Sequence, residues 1–343
     1  MTRPAPPAWD AHVCIPLDEG GDPAVLGAHW RAGFRFASIN VGMDMASTAE
    51  VMAVLTRFHR RLVALSDRFL LAETLSDLST AEATDRLAVA FDLEGAGPLE
   101  GNPALVHRFS ALGVRQMNLI YNRQNAVGGG CHDDYDPGLS PHGKEIIREM
   151  ESAGVVLDLS HAGERTSMDM LGWTERPVVF SHANVRRFYD HPRNLTDTQI
   201  DACAAVGGVI GVTAHGLLIG RSDDPAQTVF EHLDYLVSRV GSSNVGLGLD
   251  YCYDTGLDSL PVSIDLEYWW PSIWGYSDPS LVPSPPDLFG ALLRLMRAHG
   301  YEAKDIAAIA GGNFRRIAEA VWPGSRGGPD PGAVLHRGQL GSS

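Results

Sequence analysis

The chain has 343 residues, 44% of them apolar and 20% charged, the proportions of an ordinary folded protein, and no run approaches the ~18 consecutive apolar residues of a membrane span. A formal charge of −15, with no Lys/Arg cluster and interleaved aromatics to offset it, argues against nucleic acid as a partner. Four widely spread cysteines (Cys14, Cys131, Cys203, Cys252) point to reduced thiols, and with no apolar leader core behind Arg3 the expected location is the cytoplasm, away from membrane.

Short runs rich in Val, Ile, Leu and Phe alternate with stretches of helical period. In chain order the predicted strands are 11–17 (AHVCIPL), 34–42 (FRFASINVG), 86–94 (RLAVAFDLE), 114–121 (VRQMNLIY), 154–160 (GVVLDLS), 177–181 (PVVFS), 207–213 (GGVIGVT) and 244–250 (NVGLGLD). Between the fourth and fifth, Ser140 caps a helix whose apolar stripe is Ile146, Ile147 and Met150, and Gly154 stops it. Between the sixth and seventh, Thr196 caps a second helix with Ile200, Cys203 and Ala204 facing in and Gly207 as the stop. Eight strands alternating with helices, most of them continuously apolar, predict an α/β fold of the (β/α)8 TIM-barrel type as one domain over 9–322; a doubly wound open sheet is the rival. Residues 122–141 and 251–286 are Gly-, Pro-, Asp- and aromatic-rich insertions after strands, so in a barrel they hang over its C-terminal mouth. The tail 323–343 is poor in core-forming residues and is expected to be disordered.

Polar residues fall at the strand ends. His12 is in the first strand, Glu94 ends the third, His161 and His182 follow the fifth and sixth, and Asp250 ends the eighth. A lone His or Glu in a strand interior costs several kcal/mol of desolvation unless it finds a partner, and a cation among these residues would partner them all. Imidazole and carboxylate donors suit Zn2+, or less specifically Mn2+, Fe2+ or Co2+. Glu94, between the other donors, is placed to bridge two ions, and a hydroxide held between two metals is a nucleophile at neutral pH, which predicts hydrolysis. Taken singly, each residue also reads as an ordinary hydrogen-bonded strand end, turn or helix cap.

FDLEGAGPL, GLSPHGKEIIREMESAGVVLDLSHAGERT, PVVFSHANVRRFYDHPRNLTDTQI, GGVIGV, VGLGLDY and IAGGNFRRI, in this order over roughly residues 9–320, resemble the membrane dipeptidase (renal dipeptidase, peptidase M19) family of amidohydrolase-like metal barrels. The resemblance implies a metal-dependent dipeptidase with a binuclear zinc site: Glu94 bridging, His12 on one ion, His161 and His182 on the other. It implies that Arg193, in HPRN, holds the substrate carboxylate, a task a planar guanidinium performs with two parallel hydrogen bonds. Asp250 matches the acidic residue that contacts the substrate amine and handles the proton. A homodimer is expected, since dimers are common in that family.

Two positions depart from the family pattern. Where members carry a second metal-binding Asp on strand one this chain has Cys14, and where they carry a His after strand four it has Tyr121. Cys14 reads as a thiolate ligand keeping the first ion, as a neutral thiol that leaves one ion only, or as packing that never meets metal. Tyr121 retains a hydroxyl for a developing oxyanion, though farther from the backbone than an imidazole nitrogen. The reading is therefore a zinc-dependent hydrolase that uses a metal-bound hydroxide to cleave the amide bond of a dipeptide or similar small zwitterion. The alternatives are a one-metal hydrolase of another small amide, lactone or N-acyl compound, and a barrel that binds without catalysis. GCHDDYD (130–136) reads as a solvated loop or lid rather than a metal site. His215 faces the mouth or the surface, and EYWWPSIWGY (267–276) lines a pocket, a contact or a satellite core.

Overall fold

A computed structural model describes residues 6–253 and 264–324. Its strands are β1 (Ala8–Cys14), β2 (Phe34–Met43), β3 (Phe69–Leu71), β4 (Leu87–Glu94), β5 (Val114–Asn118), β6 (Val156–Asp158), β7 (Val179–Phe180), β8 (Val209–Val212), β9 (Val245–Leu247) and β10 (Tyr251–Cys252). They form one parallel sheet in the order β10-β1-β2-β4-β5-β6-β7-β8-β9, with β3 attached to β4. Residues 248–250 alone separate β9 from β10, and β10 pairs with β1, so the two ends of the path are halves of one strand and the sheet curls into the expected barrel.

The first strand begins and ends earlier than its hydrophobic run suggested. Pro16 has no N–H to offer a ladder, whereas Ala8 and Trp9 pair with Phe34 and Phe36. Trp9 stacks on Phe36 with ring centroids 4.0 Å apart and, with Trp322, Phe314, Val156, Val179 and Val209, fills the lower barrel. A register shift between Asp10 and Val13 breaks the alternation of faces. Ala11 packs with Trp9 below while its neighbour His12 reaches Glu94 above.

The helices follow their caps and stripes. Ser47 and Glu50 form a capping box at the start of Thr48–Ala64, whose buried Val51, Val54, Leu55, Phe58 and Leu62 recur at three- and four-residue spacing. Ser140 caps Pro141–Ala153, Ile146, Ile147 and Met150 are buried, and Gly154 ends the helix at φ 68°. Thr196 caps Asp197–Ala205 and buries Ile200 and Cys203, but Ala204 is half-buried; Gln199 faces in instead and donates to Ser167 Oγ at 2.9 Å. Near the end of the chain's described residues, Leu75 N donates to the Pro323 carbonyl at 3.2 Å. The expected disordered tail falls, from residue 325 on, outside the described residues. No helix among the described residues is long and apolar enough to cross a membrane.

Candidate metal centre and active site

Strands β1, β4, β6 and β7 deliver His12, Glu94, His161 and His182 to one spot at the C-terminal mouth. Glu94 Oε1 lies 3.0 Å from His161 Nε2, 3.5 Å from His182 Nε2 and 3.5 Å from His12 Nε2. The Nε2 atoms of His161 and His182 are 2.9 Å apart, and the His12 and His182 rings stack at 4.1 Å. His12 Nε2 is also 3.5 Å from Cys14 Sγ and 3.8 Å from Asp250 Oδ1. The donors fall into overlapping groups, Glu94–His161–His182 and His12–His182–Asp250, whose ligand atoms lie within 4.8 Å of one another. Tetrahedral zinc with bonds of ~2.0–2.3 Å has edges of about 3.3–3.8 Å, and most of these separations fall near that range.

The hydrogen bonds behind the imidazoles decide what these atoms can be. Asn122 Oδ1 accepts from His161 Nδ1 at 2.7 Å, while the Asn122 amide nitrogen is engaged in donating to the Trp269 carbonyl at 2.9 Å. Ser181 gives its hydroxyl proton to Asp158 and so accepts from His182 Nδ1 at 2.7 Å. Each of these imidazoles therefore carries its proton on Nδ1 and presents a bare Nε2 lone pair. Burial first, then the charges of Arg193 and His12, keep the pKa of both His161 and His182 well below the ordinary value, so both are neutral at pH 7. The two imidazole lone pairs thus face each other at 2.9 Å, where they repel, and with the Glu94 oxygen at 3.0 and 3.5 Å they form a donor set that fits a cation.

On the β1 side, His12 Nδ1 lies 3.0 Å from Asp92 Oδ1. Burial opposes charge on His12, but Asp92, Glu94 and Asp250 together outweigh it and hold its pKa well above the ordinary value. The field there favours a positive charge. Asn40 donates to Glu94 Oε2 and is itself oriented by Gly42 N, 2.7 Å from Asn40 Oδ1. Burial, opposed by His12 and reinforced by Asp250 and Asp92, pushes the Glu94 carboxyl up to about 8. Among the described residues, the non-glycine positions with positive φ include Asn122 (57°), His161 (70°) and Asp250 (55°). All three stand at this mouth, where local backbone strain aims side chains that a regular strand would point elsewhere.

Above the cluster opens a cavity of about 720 Å3, within the ~300–1,000 Å3 range of small-molecule sites. Arg193, buried, anchors one nitrogen to the His182 carbonyl at 3.2 Å and lines the cavity. Among the described residues no carboxylate pairs with Arg193 within 4.0 Å, which leaves its fork available to a ligand. Tyr121 stacks on His161 at 4.4 Å, and its hydroxyl accepts from Trp270 Nε1 at 2.9 Å, so its own proton is free to donate. Burial raises the Tyr121 pKa well above the ordinary value, keeping it a neutral donor. Asp250 is raised to about 6, chiefly by burial. Met43, Met45 and Val54 supply an apolar wall.

The insertions serve this mouth structurally. In GCHDDYD, Asp133 accepts from Gly130 N at 2.7 Å and Asp136 from Thr166 N at 2.9 Å, while Cys131 N donates to the His161 carbonyl at 2.9 Å. These residues brace the His161 loop. His215 caps a short helix by accepting from Leu217 N at 3.1 Å and lines the cavity. The aromatic run divides: Trp270 and Tyr276 face the cavity, whereas Tyr268 and Ile273 are exposed.

The structure brings together every residue singled out from the sequence: His12, Cys14, Glu94, Tyr121, His161, His182, Arg193 and Asp250. It adds Asp92, Asn40, Asn122, Ser181 and Asp158, which orient the donors, and Cys252. Asp92 stands two residues from Glu94 on β4, where period two puts both on one face; that spacing was the available signal.

The sequence pattern of the membrane dipeptidase family (peptidase family M19) matches residues 29–266. The chain is 28% identical over 275 residues to an uncharacterised Klebsiella pneumoniae protein from a pqqA 5' region, covering 77% of this chain and 93% of that one. It is 32% identical over 230 residues to an uncharacterised dipeptidase of Schizosaccharomyces pombe, covering 66% of this chain and 51% of that one, so it spans about half of that relative. In structure it is similar to an amidohydrolase from Pseudomonas aeruginosa (TM-score 0.82, 24% identity, 92% of this chain and 97% of that one). It is also similar to a Rhodobacter sphaeroides metallopeptidase bound to a phosphinate mimic of L-Ala-D-Ala (TM-score 0.76, 20% identity, 93% and 100%).

Proposed function

The chain belongs to the membrane dipeptidase family, peptidase M19, and from that membership we propose that it is a zinc-dependent hydrolase cleaving the amide bond of a dipeptide or similar small zwitterion. The observation that carries the reading is the convergence of the His161 and His182 Nε2 lone pairs on one Glu94 oxygen, each Nδ1 already committed. In this proposal Glu94 with His161 and His182 would hold one ion, and His12 with Asp250 and Cys14, on the other side of Glu94, would hold a second. Ions held there would polarise the scissile carbonyl and lower the pKa of water.

The remaining work falls to the chain's own groups. Arg193, fixed by the His182 carbonyl, presents two parallel N–H donors to the substrate carboxylate and sets the register of the amide against the cluster. Tyr121 donates its free proton toward the oxygen that gains charge. Asp250, at the edge of the cluster and lining the cavity, pairs with the substrate ammonium and relays a proton to the leaving nitrogen. The cavity's apolar wall admits side chains larger than methyl. Metal-loaded protein assayed against a broad L,L and L,D dipeptide panel tests this; no hydrolysis anywhere in the panel refutes it.

A further inference from the structure

The β1 side of the cluster contains a thiol that the family pattern does not single out. Cys252 on β10 stands in register with Cys14 on β1. In-register neighbours of a sheet project to the same face, about 4.8 Å apart. The Cys14 and Cys252 sulfurs and an Asp250 carboxylate oxygen all lie within 4.8 Å of one another. Cys14 Sγ is 3.9 Å from Asp250 Oδ1 and 3.5 Å from His12 Nε2. Cys14, Asp250 and Cys252 all line the cavity, and His215, after β8, hydrogen-bonds Cys252. Thiols kept for packing sit against carbon, as Cys203 does in the core; here both sulfurs face nitrogen and oxygen donors.

We propose that Cys14 and Cys252 are paired thiolate ligands which, with His12 and Asp250, make the β1 side of the centre a soft-metal site. The proposal deepens the metal-hydrolase reading and rests on it for the presence of a cation. Each sulfur gives up its proton to solvent as its bond to the ion forms. Cys14, Cys252, Glu94 and Asp250 then carry four negative charges, which two divalent ions neutralise. Thiolate donors select Zn2+ and other soft ions over Mn2+ or Mg2+, which prefer oxygen. The site should therefore discriminate against the hard ions that an Asp in place of Cys14 would accept.

The test is spectroscopic and independent of turnover. Reduced, metal-stripped protein is titrated with Co2+, reading the near-ultraviolet sulfur-to-cobalt charge-transfer band and the metal content per chain. Wild type should show the band, each of Cys14→Ser and Cys252→Ser should keep about half of it, and the double variant should lose it while retaining the ion on Glu94, His161 and His182. In Cd2+-against-Mn2+ competition, either serine variant should lose more of the Cd2+ preference than the roughly 10–100-fold in affinity that loss of an outer partner costs. Cobalt bound by wild type without the band overturns the thiolate pair and leaves the hydrolase reading standing. A band in Cys14→Ser equal to that of wild type also overturns it. A wild-type band with no hydrolysis of any dipeptide supports the pair and refutes the hydrolase instead.

Discussion

Gly248→Ala tests how the barrel wall sets the metal donors. A Cβ at position 248 would lie 1.8 Å from the Ser181 carbonyl oxygen and 3.5 Å from His182 Cα. Carbon and oxygen in contact sit about 3.3 Å apart, so one backbone must retreat by about 1.5 Å. Ser181 cannot simply turn away, because its carbonyl is already wedged against Gly211, where an added Cβ would come within 1.9 Å. The displacement passes to His182, whose Nε2 stands 2.9 Å from His161 and 3.5 Å from Glu94. Overpacking of this kind costs about 1–3 kcal/mol of stability, and a 1 Å misplacement of a working group costs roughly 100-fold in rate. Gly172→Ala is the counterpart: nothing lies within 4 Å of its added Cβ, and the residue is helical, so it should stabilise by about 0.5–1 kcal/mol. Thermal melting and metal retained after dialysis against a chelator measure both variants. Wild-type metal retention and melting in Gly248→Ala would show that the Gly248 contact does not position His182.

Tyr121→Phe keeps the ring on His161 but removes the hydroxyl; kcat should fall roughly 100- to 1,000-fold with metal content unchanged, and an unaltered kcat removes Tyr121 from the chemistry. Asn122→Ala frees the His161 Nδ1 and should weaken metal binding roughly 10–100-fold, read by competition with a chromophoric chelator. Arg193→Lys replaces a fork with a point charge and should raise KM for dipeptides more than it lowers kcat, as steady-state kinetics would record. Buried His232 accepts from Val185 N at 3.1 Å, and burial lowers its pKa to about 4. Because the unfolded chain takes up that proton first, stability is full above pH ~6.5 and falls by roughly 3 kcal/mol as the pH drops to about 4. Urea unfolding across that range, in wild type and His232→Gln, should show this slope diminished in the variant.

The barrel was legible because parallel strands buried on both faces are written as continuous apolar runs, and because His and Glu stand out against them. β3 was not legible: three residues, Phe69–Leu71, inside a stretch of helical period carry too little pattern. Asp92 hid within a run read as strand, although it shares a face with Glu94. Asn122 was not foreseeable as the partner of His161, since that contact depends on how the 122–141 insertion folds back over the mouth. Cys252 was passed over because no sequence rule reports that β10 closes onto β1 in register with Cys14.

That closure has a consequence for the order in which the protein assembles. β1 meets β10 through two register pairs, supported by Leu249 N on Asp10 Oδ1 at 2.8 Å, Asp250 N on the His12 carbonyl and Tyr253 N on the Cys14 carbonyl. These partners stand up to some 239 residues apart, so joining them forfeits the chain entropy of nearly the whole barrel. The seam is the last contact a growing or refolding chain is expected to make, and the first to part in local opening. A cation gripped from both sides would then act as a latch, slowing amide exchange at β1 and β10 before any other strands respond.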